Sequence, residues 1–342
     1  MKLITRYSPV AIHFGSLESR LLQLAGGPGG WKVHAHASAG AQGSLRHASA
    51  VEHLLQALSH KKLRGKDALI ATSGEASAVN LVPMDPAQRS RLQQTLQETA
   101  ARAINDPEGI SYRYLPLAGG AVDHAQREEF LLLTSGQSEN RRCTEAAESM
   151  QLRAVGLEYS AFPTARALHA MHGPSEDPWG FLQLGMDRSL FGIVHEGEMR
   201  FLKPMQSNGQ SLLQTVTAAL PELPNEEAMQ HPTVATLQQN AVGHAVEILH
   251  ALRLESEGMA QEIRACLRHF SARHKGARLA SVTLTGFGAA LPEVENALDH
   301  ALSIPTSVAR PFSELGIQAP AEILAEEHLW CTPLGLALRG ES

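Results

Sequence analysis

A chain of 342 residues that is 43% hydrophobic but only 5% aromatic can bury roughly two domains' worth of core, and that core has to be mostly aliphatic. A formal charge of -6 excludes nonspecific nucleic-acid binding, which needs a basic face. Three cysteines, Cys143, Cys266 and Cys331, lie far apart with no CxxC spacing and read as reduced thiols rather than a disulfide framework.

The start, MKLITRYSPV, lacks the continuous apolar region of a secretion signal. Residues 9–15 (PVAIHFG) alternate as a strand, Gly15-Ser16 reads as a turn, and SRLLQL continues as a second strand. GGPGG at 26–30 reads as a hairpin loop, and WKVHAHAS returns as a third strand. SAVEHLLQAL is helical, with Val51, Leu54, Leu55 and Leu58 on one face. DALIATS at 67–73 is a buried strand. Between 76 and 125 the pattern runs strand, helix (PAQRSRLQQTLQETAARAI), strand (SYRYLPL). EEFLLLTS at 128–135 is another strand, far too short to cross a bilayer. Helix, strand and helix follow in NRRCTEAAESMQL, RAVGLEYS and AFPTARALHAMHG.

The second half opens with WGFLQLGMDRSLFGIVHEGEMRFLKP, three short strands with turns. PELPNEEAMQHP at 221–232 reads as a surface connection. A long helix is predicted over about 236–272, with Leu237, Ala241, His244, Ala245, Ile248 and Leu252 as its apolar stripe. SVTLTGFG is a strand running into a glycine turn. LPEVENALDHAL is helical, PTSVARP is a short strand, and TPLGLALRG is a closing helix. Among the 17 histidines, His34 and His36 alternate along a strand and His169 and His172 share a helical face. Neither pair has a third ligand nearby, so both read as ordinary histidines and no metal site is expected.

Residues 12–19 (IHFGSLES) and 182–189 (LQLGMDRS) share one pattern: apolar, polar, apolar, Gly, three residues, Ser. One reading is coincidence, because strand–Gly–strand hairpins are common. The other is a two-lobed fold built by duplication. In that case the two hairpins face each other across a cleft, where turn N–H groups and Ser hydroxyls hold phosphate oxygens. The third turn, Thr285-Gly286-Phe287-Gly288, then covers a nucleoside.

In this order the motifs resemble the actin-like ATPase superfamily, in its branch of PilM-like type IV pilus assembly proteins. AIHFGS resembles the first phosphate motif, and LQLGMDRSLFGIVHEGEMRFL the second. AAESMQLRAVGLEYSAFPTARAL resembles the segment joining the lobes. LTGFGAALPEVENALDHALSIPTSVARPF resembles the adenosine motif and its helix, and TPLGLALRG the closing helix. The resemblance implies an α/β fold of two actin-like (ribonuclease H-like, duplicated) lobes with a small subdomain inserted in the first. The first lobe would comprise 1–75, 151–178 and 311–342, the insert 76–150, and the second lobe 179–310. It places a vestigial nucleotide cleft at Gly15, Ser16, Gly185, Asp187, Ser189, Glu262, Gly286 and Gly288. The ligand is ATP or none, with Mg²⁺ only where ATP is bound. The implied role is a cytoplasmic scaffold, peripheral to the inner membrane, of a type IV pilus or related secretion machine. Its implied partner is the N-terminal cytoplasmic tail of a PilN-like bitopic inner-membrane protein, received in a groove between the first lobe and the insert. There SAVNLVP and SYRYLPL offer an exposed strand edge. The ending LGLALRGES has no amphipathic membrane tail like that of the cell-division relative FtsA, so no direct membrane insertion is expected; the oligomeric state stays open.

Three departures bear on chemistry. The family carries an acidic residue two positions before each hairpin glycine; here these are His13 and Gln183. Imidazole and carboxamide are poor ligands for Mg²⁺, and without the ion phosphoryl transfer loses its main electrostatic support. Glu18 and Asp187, inside the turns, are the candidates to compensate. Phe287 stands where the family has glycine. Its ring either fills the adenosine space, stacks on adenine or turns out into a neighbouring groove. Glu262 is either the acidic residue near the nucleoside or an ordinary helix-surface glutamate. Three functions therefore compete: a scaffold with weak or lost nucleotide binding, an active ATPase of the same assembly system, and a sugar kinase. The last lacks a candidate catalytic aspartate.

Overall fold

A computed structural model describes residues 6–15, 18–27, 30–40, 46–58, 62–72, 76–117, 128–218, 245–274, 276–291 and 293–339. The first sheet is built from β1 (Arg6–Tyr7), β2 (Val10–Phe14), β3 (Glu18–Gly27), β4 (Gly30–Gly40) and β5 (Asp67–Thr72). β2, β3 and β4 form an antiparallel meander, and β5 pairs in parallel with β2. The β3–β4 pairing runs on through Gly27↔Gly30, so most of the expected GGPGG loop is strand. α1 (Arg46–Ala57) packs Val51 and Leu54 on this sheet, with Leu58 just beyond its end.

The chain then leaves to form a small antiparallel sheet of β6 (Ser77–Met84), β7 (Ile110–Leu117) and β8 (Glu128–Gly136), with β8 in the centre. α2 (Leu92–Ala103) covers one face, placing Leu96 and Ala100 on Val82, Phe130 and Leu132. α3 (Gln137–Ser149) also lies within the span 76–150 but packs elsewhere. Its Cys143, Ala146 and Ala147 share the first-sheet core with Val10, Ile12 and Ile70. β9 (Arg153–Tyr159) then completes the first sheet as the parallel neighbour of β5. α4 (Ala161–His172) leads to the second half.

The second sheet repeats the first. β10 (Trp179–Leu184), β11 (Ser189–His195) and β12 (Glu198–Met205) form the antiparallel meander. β13 (Val282–Thr285) and β14 (Thr306–Val308) add in parallel beyond β10. β2 and β10 hold equivalent central places, and every residue of VAIHF and WGFLQL is buried, as strands covered on both faces require. α5 (Gly209–Ala218), α6 (Ala245–Arg273) and α7 (Val294–Leu302) cover this sheet. Ile248, Leu252, Met259, Ile263, Phe270 and Leu298 pack there with Leu182, Leu184, Phe191 and Leu284. The predicted start of the long helix near 236, with Leu237, Ala241 and His244, and the connection at 221–232 lie outside the described residues.

A third core joins the halves. α8 (Pro311–Glu314), α9 (Ala321–Leu324) and α10 (Cys331–Ala337) return to the first sheet. There α10 packs on α4, and Leu334 and Leu336 share a cluster with Ala11, Leu69, Phe181 and Leu190. Gly335 sits under the Pro163 carbonyl, where any Cβ would overlap it. Among the described residues no helix is long and apolar enough to cross a membrane.

Candidate functional site

The two glycine hairpins have the same register. Phe14 pairs with Ser19 and Leu184 with Ser189, so each turn holds four residues and starts with glycine. A Cβ on Gly15 would come 2.6 Å from the Glu18 carbonyl oxygen, and one on Gly185 would collide with the matching Arg188 carbonyl. Both glycines are thus demanded by the tightness of the turn. Ser19 and Ser189 are buried in equivalent places. The Ser189 hydroxyl and Gln183 Oε1 are buried without a hydrogen-bond partner among the described residues. Ser16 lies outside the described residues.

The second hairpin is held from below. Its Gly185 and Met186 carbonyls accept bonds from the N–H groups of Gly209 (2.8 Å) and Gln210 (2.9 Å) at the start of α5. The Asp187 carbonyl accepts from Asn208 Nδ2 at 2.8 Å. The third turn closes on the same hairpin. Gly286, at φ 84°, lies so close to β10 that a Cβ would meet the Leu184 carbonyl at 2.6 Å, and one on Gly288 would be 3.0 Å from Leu184 Cβ. Its N–H donates to the His328 carbonyl at 3.0 Å. Two residues on, Trp330 lies under the Arg20 guanidinium, 5.7 Å from ring centroid to Cζ. The segment 328–330 therefore links the first hairpin's strand to the third turn, which itself rests on the second hairpin.

Electrostatics at the first hairpin differ from those of a metal site. The four-residue turn puts Arg20 directly opposite His13. Arg20 is buried and ion-paired with Glu18. Burial pulls its guanidinium below the ordinary value, while Glu18 and Glu326 work to keep it charged. His13 is pushed down to about 3, by burial first and the Arg20 charge second. His328 is pushed down to about 4 by the same two causes. Both imidazoles are neutral near pH 7. Where a metal site would need anionic oxygens stand a neutral imidazole, a buried guanidinium and the Gln183 carboxamide, with Glu18 committed to Arg20. This donor set does not fit Mg²⁺.

Other positions have structural partners. Glu262 on α6 accepts from the Gln206 N–H at 3.0 and 3.3 Å and pairs with Lys203 at 3.7 Å, tying the end of β12 to the helix. The Phe287 ring is half-buried against the second-sheet core. Arg188, at the tip of the second hairpin, reaches the first half of the chain. Its Nη1 donates to the Ser77 carbonyl at 2.6 Å, and it bonds the hydroxyl of Tyr159. Burial raises that phenol to about 12. Arg20, Arg188, His328 and Trp330 were not legible as site residues from motif alone. The signal for Arg20 was available in the turn length, which fixes 13 opposite 20 once 14 pairs with 19.

A family model described as type IV pilus assembly protein PilM matches residues 15–341. The chain belongs to the PilM family. No curated protein matches it in sequence. Among solved structures, the PilM-PilN type IV pilus biogenesis complex is similar at 17% identity and TM-score 0.73, over 98% of this chain and 99% of that one. Ethanolamine utilization protein EutJ from Carboxydothermus hydrogenoformans is similar at 16% identity and TM-score 0.57, over 98% and 90%. MreB 5 of Spiroplasma citri bound to AMPPNP is similar at 11% identity and TM-score 0.50, over 97% and 95%. At such identities the likeness speaks for the fold, and this PilM-family chain has the two-lobed actin-like fold.

Proposed function

We propose that this chain is a scaffold of a type IV pilus or related secretion machine that works without nucleotide turnover and is recruited to the inner membrane by a partner. The family match over 15–341 supports the assembly role. The observation that carries the non-catalytic reading is Arg20: a buried guanidinium opposite His13 repels a divalent cation where the chemistry requires one. The partner is the N-terminal cytoplasmic tail of a PilN-like bitopic protein, received between the first lobe and the insert. β6 and β7 are the two edges of the small sheet, and β7 leaves Leu115 exposed, as strand addition by an apolar peptide needs. The alternative is an active ATPase of the same system, with Asp187 in the second turn supplying the carboxylate that His13 and Gln183 lack.

Purified chain with ATP and Mg²⁺ is expected to release phosphate at the background rate. Steady turnover that is abolished by Asp187→Asn would install the alternative. In cells, the chain is expected to co-fractionate with membranes only while the partner's cytoplasmic tail is present. Membrane association that survives deletion of that tail would overturn the recruitment reading.

A further inference from the structure

The insert interrupts the first lobe in sequence, yet its ties run to both lobes. At its base it is bonded to α3. Asp106 accepts from the Ser138 N–H and hydroxyl, Glu108 pairs with Arg141, and the Gln137 N–H donates to the Gly109 carbonyl at 2.9 Å. Its sheet lies instead against the second lobe. β6 and β7 pack on β12, Leu81 touches the second-sheet core, and Val79 and Leu131 are buried in the cluster that also holds Leu190, Val194 and Leu202. Glu129 on β8, with only 11% of its side chain exposed, pairs with Arg273 at 3.0 Å and His269 at 3.8 Å on α6. Arg188 reaches back from the second hairpin to the Ser77 carbonyl at the first residue of β6.

From these ties we infer that the insert is a strut that latches the two lobes together, with Arg188–Ser77 and Glu129–Arg273 as its two cross-lobe locks. Every atom in the locks belongs to the chain, so the lobes hold their angle with no ligand between them. The geometry is economical. A guanidinium bonded to a main-chain carbonyl is a charge-assisted hydrogen bond, and it is partly buried, where water competes poorly. Glu129 is a nearly enclosed carboxylate whose cationic partner, Arg273, stands on a different lobe, so separating the lobes would strand its charge. The base contacts to α3 fix the other end of the strut to the first-lobe core. The inference does not rest on the pilus reading: it concerns how the lobes are held, whatever binds them.

Amide hydrogen exchange and small-angle scattering on the full chain test this, comparing wild type with Arg188→Ala, Glu129→Gln and the double variant. Arg153→Ala serves as a control, because it breaks an exposed pair with Asp67. Loss of one charge-assisted bond corresponds to roughly tenfold in a local opening equilibrium. Exchange in Ser77–Met84 and in the hairpin around Gly185 is therefore expected to rise about tenfold in Glu129→Gln, by more than that in Arg188→Ala, which also loses the bond to the Tyr159 hydroxyl, and further in the double. Exchange in β2 and α1 should stay unchanged, and the radius of gyration of the double variant should grow. The control should behave as wild type. Glu129→Gln nearly preserves shape and carries the test alone if Arg188→Ala does not fold. Unchanged exchange in Ser77–Met84 in the variants that fold would overturn the latch, as would a rise spread evenly over the whole chain.

Discussion

At the scale of single residues, the first hairpin is a place where a cation has been built into the protein. Arg20 is stacked on Trp330, paired with Glu18 and flanked by two imidazoles kept neutral by their burial first and by its charge second. This has a consequence for stability. The neutral form of His13 and His328 is the native one, whereas in the unfolded chain each takes up a proton near its ordinary value of 6.5. As pH falls below 6.5 the unfolded state binds more protons, so stability is full above that pH and declines toward the folded values of about 3 and about 4. Each group contributes a slope of up to about 1.4 kcal/mol per pH unit. Urea unfolding between pH 7.5 and 5 is expected to show a shallower loss for His13→Gln than for wild type, since carboxylate contributions are common to both. Identical slopes would mean that His13 does not sit buried and neutral.

Among the elements, the insert sheet has a core of its own only on the face that α2 covers; its other face, with Val79 and Leu131, belongs to the core that joins the halves. Its core is small: Val82, Met84, Leu96, Ala100, Phe130 and Leu132 are the buried members, and α2 supplies two of them. Removing Leu96, which is fully buried, leaves a cavity worth about 2–5 kcal/mol in a unit with little else to compensate. Leu96→Ala is therefore expected to raise hydrogen exchange in β6, β7 and β8 while β2 and β10 keep their protection. Equal loss of protection in all five strands would show that the insert does not unfold on its own. α3 behaves differently although it adjoins the insert in sequence. Its apolar residues are those of a first-sheet helix, and its N-terminus only receives the polar contacts of the insert's base.

Over the whole molecule, two kinds of joint hold the lobes. One is apolar and continuous: α4 and α10 of the first lobe, packed on each other with Gly335 under Pro163, share one cluster with Phe181, Leu190 and Val194 of the second sheet and with Val79 and Leu131 of the insert. The other is polar and discrete: Arg188 to Ser77 and Glu129 to Arg273 through the insert, and Arg188 directly to the Tyr159 hydroxyl on β9. The polar ties are directional and few, so their removal should loosen the insert and the second hairpin before it touches the sheets.

The sequence by itself determined the strands of both sheets apart from the two-residue β1 and the glycine ends of β3 and β4, together with the duplicated Gly-to-Ser turns and the third glycine turn. These depend on local alternation, on fully apolar central strands and on backbone approaches only glycine allows, all of which leave a pattern within a few residues. It also put the uncharged side chains of His13 and Gln183 two positions before the hairpin glycines. Tertiary structure alone decided what surrounds them. Arg20 becomes the partner of His13 only through strand register and is stacked on a tryptophan 310 positions away, while Glu262 is drawn to Gln206 and Lys203 at the end of β12. Arg188 meets Ser77 across 111 residues of chain. Such contacts join segments that carry no shared periodicity, and polar side chains with several possible partners choose among them only when the lobes have packed.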